Sequence, residues 1–455
     1  MKSVCLLAVC LWSTFVHATP KVHEYQLDNG MKVLVKEDHR APIAVSQVWY
    51  KIGASYETPG ITGLSHWLEH MMFKGTETHG PNAFSRIIAA LGGSENAFTG
   101  RDYTAYFETL SKDHLRTAFA LEADRMANLR ILPEEAKKEL EVVKEERRWR
   151  TDDKPTARTQ EEFNAVAYRE LPYRNPVIGW MNDLEHLTVA DLKDWYAKWY
   201  APNNATLVVV GDVEPDAVFA LASATFGRVA ARETGRPKPA AEPRQLGETR
   251  VKVRLPAKQP YLIMGFKTPS LRTADTPADA YALEMLAHIL AGGDSARLSR
   301  QLVRGSEIAA EADADYGLYD RLAGMLTLDG TPTDGHGLDD LEQALLGQVR
   351  ALIETPVSET ELEHVRVQLI AGKVYELDSV FYQAMQLGML ETVGLGWRRA
   401  DEYIQAMKSV TAEQVRAVAK RYLTHDNLTI SRLEPLPLKP GQRINTGKPG
   451  GAHVR

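Results

Sequence analysis

The feature that most constrains the fold is an internal repeat. Residues Thr188 to Pro215 carry a helix signal, Tyr200, an Asn-rich turn, an apolar strand signal and Glu214-Pro215. Thr411 to Pro435 repeat that order with Tyr422, Asn427 and Glu434-Pro435, and Pro260 to Lys267 echoes Ala44 to Lys51. The offset is about 220 residues, far longer than a solenoid period, so the pattern means two copies of one domain. A chain of 455 residues has room for two such cores. Between the copies, Arg228 to Arg250 holds Pro237, Pro239 and Pro243 without periodicity and reads as a linker. The expected division is a signal peptide at 1–18, a first domain at 19–227, a linker at 228–250, a second domain at 251–438 and a flexible tail at 439–455.

In the first copy, Glu24 to Glu37 reads as two strands around the hairpin turn Asp28-Asn29-Gly30. Ala44 to Ile52, Ala105 to Leu110 and Ala205 to Val210 have strand composition. Helix signals cover the segment around His66, Asn82 to Leu91, Lys112 to Leu129, Glu134 to Arg150 and Leu187 to Tyr200, the last with Thr188 as N-cap.

The chemistry concentrates in His66-Trp67-Leu68-Glu69-His70. On a helix, His66 and His70 at i and i+4 share a face and can meet one metal ion at about 2.0–2.1 Å. Glu69 adjoins His70, a poor place for a third ligand and a good one for a base. A structural or solvated His/Glu cluster is the plain alternative. Along Glu134 to Arg150, Ala136, Leu140 and Val143 form the apolar stripe, while Lys138, Glu141, Glu145 and Arg148 take the solvent side. Glu139 and Glu146 bracket Val143 on the inward face, where a carboxylate is costly unless a cation compensates it. That cation is either a metal or a nearby arginine. At the repeat offset the second copy has Glu284, Ala287 and His288, so the frame is kept and the ligand set is absent.

Composition excludes some partners. With a net charge of −6, the chain lacks the basic surface that nucleic acid or an anionic membrane calls for. Lys2, the apolar run Val4 to Val9 with Leu11, and Val16-His17-Ala18 read as a secretory signal cut after Ala18. A lipoprotein signal through Cys10 is the runner-up, and the run is too short for a good membrane span. Both cysteines, Cys5 and Cys10, fall inside this segment, so the mature chain has no disulfide and no thiol ligand. Export to a bacterial periplasm is the expected address.

His66-x-x-Glu69-His70, with Glu146 standing 76 residues after His70, resembles the pitrilysin/insulinase family of zinc peptidases, the inverzincins. The branch it looks most like is that of the bacterial relatives of mitochondrial processing peptidase. The Asp28-Asn29-Gly30 turn, Asn96-Ala97-x-Thr99, Pro202-Asn203-Asn204 with Val210-Gly211-Asp212, and Gly292-Gly293-x-Ser295-x-Arg297-Leu298 carry the same resemblance. It implies an α+β fold of two homologous domains, each an antiparallel sheet with helices packed on one face. It implies one Zn2+ per chain on His66, His70 and Glu146, Glu139 orienting the site, and water in the fourth position with Glu69 as its general base. Asn96 and Ala97 would lie on the edge strand that takes substrate backbone, with Arg304 as a further substrate contact. Four such domains enclose a chamber, so peptide hydrolysis would need a second two-domain subunit. Relatives that bind substrate with their own second domain have an Arg and a Tyr seven residues apart. Here Arg304 is followed at that spacing by Glu311. The expected partner is therefore a homologous zinc-less subunit that supplies the Arg/Tyr pair, with a homodimer as the alternative. A non-catalytic scaffold subunit is the alternative to a zinc endopeptidase acting on extended peptides.

Overall fold

The computed structural model describes residues 21–438 apart from 236, 237 and 239. The expected signal peptide and tail lie outside the described residues. The first half runs β1 (Val22–Gln26), β2 (Lys32–Glu37), β3 (Ile43–Tyr50), α1 (Leu64–Met71), α2 (Ala83–Ala90), β4 (Ser94–Thr99), β5 (Thr104–Ser111), α3 (Leu115–Asn128), α4 (Pro133–Arg147), α5 (Pro155–Ala167), α6 (Met181–His186), α7 (Val189–Trp199), β6 (Ala205–Gly211) and α8 (Pro215–Ala224). The second runs β7 (Thr249–Pro256), β8 (Tyr261–Thr268), α9 (Pro277–Ala291), β9 (Ala309–Tyr316), β10 (Gly324–Pro332), α10 (Leu338–Glu354), α11 (Glu359–Glu376), α12 (Val380–Thr392), α13 (Tyr403–Ser409), α14 (Ala412–Tyr422) and β11 (Leu428–Leu436). Thr188 and Thr411 cap α7 and α14 through matching capping boxes, so the repeat extends to local hydrogen bonding.

The two sheets have one topology. The first has the order β1-β2-β6-β3-β5-β4 and the second β7-β11-β8-β10-β9. Removing β1 superposes the two orders term by term, and β4 and β9 are the equivalent edges. The duplicated sheet-and-helix fold that the resemblance implies is the observed one. Each sheet also holds one parallel pair, β2 with β6 and β7 with β11, within an otherwise antiparallel arrangement.

The halves are clasped by exchanged helices. Helices of each half cover one face of its own sheet, burying Val33, Val35, Val48 and Tyr50 in the first and Leu262, Met264 and Leu328 in the second. The opposite face of each sheet is covered from the other half. Helix α12 brings Ala384 and Leu387 against Leu34, Val45, Trp49 and Val210, and α5 brings Phe163 and Ala167 against Ile263 and Leu433. Burial on both faces explains why β3 and β6 read as apolar runs instead of alternating. Gly388 lets α12 approach: a Cβ there would stand 2.1 Å from Trp49 Nε1. No helix among the described residues is long and apolar enough to cross a membrane.

Candidate metal centre

Helix α1 is buried along its whole length, an unusual setting for two histidines and a glutamate. Its N-terminus is built with care. Gly63 takes a left-handed φ of +87°, and a Cβ there would lie 2.6 Å from the Ile178 carbonyl oxygen. Glu57 accepts from the Gly63 and Ser65 amides at 2.8 and 2.7 Å, satisfying donors that open the helix. Burial pushes the Glu57 carboxyl up to about 7 against those two bonds.

Helix α4 packs across α1 and supplies the carboxylates. The inward-face reading separates two neighbours correctly: the Glu146 side chain is 11% exposed and that of Glu145 72%. Glu146 Oε2 lies 3.3 Å from His70 Nε2 and 3.9 Å from His66 Nε2. Ligand atoms at the corners of a zinc tetrahedron with 2.0–2.1 Å bonds are about 3.3 Å apart, so the donor set and its spacing fit the ion. Glu139 Oε1 lies 2.9 Å from His70 Nδ1. An ionised carboxylate only accepts, so His70 donates from Nδ1 to Glu139, and Nε2 is the ring nitrogen that would face a metal ion. Burial works to raise the pKa of Glu146, but the His70 hydrogen bond and the charges of His66, His70 and Arg150 bring it well below the usual carboxylate range. Glu139 is also lowered; burial opposes this, and bonds to His70 and Lys74 outweigh it.

Thr99, at the end of β4, donates from Oγ1 to Glu69 Oε2 at 2.6 Å. Glu69 is thus held at the junction of α1 and the edge strand. On that strand the Ala97 amide is covered by its neighbour, donating to Asn96 Oδ1 at 2.8 Å. The equivalent edge β9 does the same, with Ala314 donating to Asp313 Oδ1 at 2.8 Å.

The fold therefore gathers His66, Glu69, His70, Glu139 and Glu146, with Asn96 and Ala97 on the adjoining strand. It does not gather Arg304, which is exposed in the second half and donates to the Asp294 carbonyl. The roles of three neighbours escaped sequence reasoning, Thr99 entering only as part of the Asn96-Ala97-x-Thr99 resemblance. Thr99 bonds Glu69, Lys74 pairs with Glu139 at 2.6 Å, and Arg150 pairs with Glu146 at 2.9 Å. Arg150 stands four residues after Glu146, a helical spacing that was available as a signal, whereas Lys74 lies past the end of α1 and meets Glu139 only through the packing of the two segments.

The family profile "Insulinase (Peptidase family M16)" matches residues 32–180, and "Peptidase M16 inactive domain" matches residues 186–369. The zinc protease PqqE of Helicobacter pylori is 31% identical over 365 residues, covering 79% of this chain and 81% of that protein. The chain belongs to the M16 peptidase family. A crystal structure of a protease from Helicobacter pylori has a TM-score of 0.87 at 27% identity, covering 92% of this chain and all of that one. The periplasmic protease PqqL from Escherichia coli shares the fold, with a TM-score of 0.78 at 18% identity. This chain spans 49% of PqqL, so PqqL is about twice as long.

Proposed function

We propose that the chain is a zinc-dependent endopeptidase that hydrolyses extended peptides inside a chamber formed with a second two-domain subunit. One observation carries the reading: two imidazole nitrogens and a carboxylate oxygen, all from buried or nearly buried side chains, lie within 4.8 Å of one another. His66, His70 and Glu146 hold the ion, and Glu139 orients His70. Zinc, when bound, polarises the scissile carbonyl and acidifies the attacking water. Glu69 takes the proton from that water and hands it to the leaving amine. Thr99 holds the Glu69 carboxylate in position for both transfers. The open side of β4 receives substrate backbone as an added strand once Asn96 releases the Ala97 amide.

The partner is a homologous zinc-less subunit carrying the Arg/Tyr pair, with a homodimer as the alternative. The length of PqqL, about two such chains, is in keeping with an assembly of four domains. The described structure has no membrane-spanning helix, and the reading places the mature chain in the periplasm, as the name of PqqL does for that protein.

The test is cleavage of a quenched fluorescent peptide by the zinc-loaded chain, beside Glu69→Gln and Glu146→Gln. Glu69→Gln should keep its zinc and lose activity by about 10²–10⁴-fold. Glu146→Gln should lose the zinc itself. Full activity in Glu69→Gln refutes the assignment, and bound zinc without cleavage in the wild type favours the scaffold reading unless a homologous subunit restores it.

A further inference from the structure

The chain has a net charge of −6, yet a cavity of about 510 Å³ between its halves is lined, among the described residues, by Lys51, Lys238, Arg272 and Arg321 and by no carboxylate. Two of these cations are held rigidly. Arg321 donates to Asp102 Oδ1 at 3.0 Å and to Ser55 Oγ at 2.7 Å, with its guanidinium carbon 4.4 Å from the Tyr56 ring centre. Arg272 donates to the Val393 carbonyl and lies over Gly394, where a Cβ would come within 3.2 Å of its Nη1.

Lys51 is different. It is half-buried, has no ion-pair partner among the described residues, and burial lowers its pKa below the usual lysine value. A desolvated ammonium costs stability when unpaired. Acceptor oxygens with negative charge would satisfy it, and guanidinium forks suit the same chemistry.

We propose that this cavity binds a small ligand bearing an oxyanion, phosphate or carboxylate, through Lys51 and Arg272. The volume falls in the range of small-molecule sites, so the anion is one end of a larger body. None of the lining residues belongs to the His66–His70–Glu146 group, and the site does not depend on the peptidase reading.

Titration calorimetry of the zinc-loaded chain at constant ionic strength tests it, with inorganic phosphate and tri-glutamate as separate probes. Lys51→Gln, Arg272→Gln and His66→Ala are compared, each checked for native circular dichroism. At least one probe should bind with one-to-one stoichiometry, at least tenfold more weakly in Lys51→Gln and Arg272→Gln and unchanged in His66→Ala. The probe that binds identifies the oxyanion class. Absence of saturable binding, or binding lost in His66→Ala and kept in Lys51→Gln, overturns the proposal, the latter by assigning the anion to the metal. If Arg272→Gln misfolds, Lys51→Gln alone decides.

Discussion

Thr99→Val isolates the contribution of one hydroxyl to the proposed base. The side chain is fully buried and close to isosteric with valine, so the change removes the 2.6 Å bond to Glu69 Oε2 and little else. The neighbouring Thr104 hydroxyl keeps its own bond to the Ile52 carbonyl at 2.9 Å. A hydrogen bond to a charged group contributes about 1.5–3 kcal/mol. If the bond serves to hold Glu69 for proton transfer, losing it should lower kcat by about 10- to 150-fold. KM and zinc content should stay within about twofold, because neither the metal ligands nor the β4 backbone is altered. Thr99→Ser keeps the donor and should recover most of the activity. The assay is peptide cleavage with metal content measured on the same samples. An unchanged kcat, or a loss that tracks the zinc, would refute the positioning role.

Two further predictions concern stability. Burial, with Asp315 adding to it and the Tyr403 bond opposing, pushes the Glu284 carboxyl from 4.5 up to about 7. The folded chain therefore holds this proton to higher pH than the unfolded chain, and its contribution is lost as pH rises from about 4.5 to about 7. Glu284→Gln should raise the unfolding free energy at pH 8 by up to about 3 kcal/mol and change it little at pH 4.5, measured by urea denaturation; equal effects at both pH values would contradict the sign. Gly388→Ala should overpack α12 against Trp49, lowering stability by about 1–3 kcal/mol and loosening the clasp between the halves; an unchanged urea midpoint would show that the indole moves aside freely.

The metal group was legible in the chain because its geometry is local. His66 and His70 need only one helical turn, and Glu146 is separated from Glu145 by which side of α4 carries Ala136, Leu140 and Val143. The duplication was legible for a similar reason, since the order of helix, Tyr, Asn-rich turn, apolar strand and Glu-Pro recurs at one offset. Neither α5 nor α12 is among the helix signals read from the sequence, and which sheet each covers is a choice made by the shape of the assembled surfaces. The Thr99–Glu69 bond spans 30 residues and exists because β4 pairs with β5 in one register beside α1. The cavity around Lys51 and Arg272 is built from residues of both halves, more than 200 positions apart, and only docking them produces it. Spacing along a helix is set by backbone geometry that every residue obeys, so the sequence alone determined which side chains of α1 and α4 face inward, and packing of the two helices brought Glu146 to His66 and His70. Contacts across sheets and halves are set by which surfaces exclude water together, and those the tertiary structure decided.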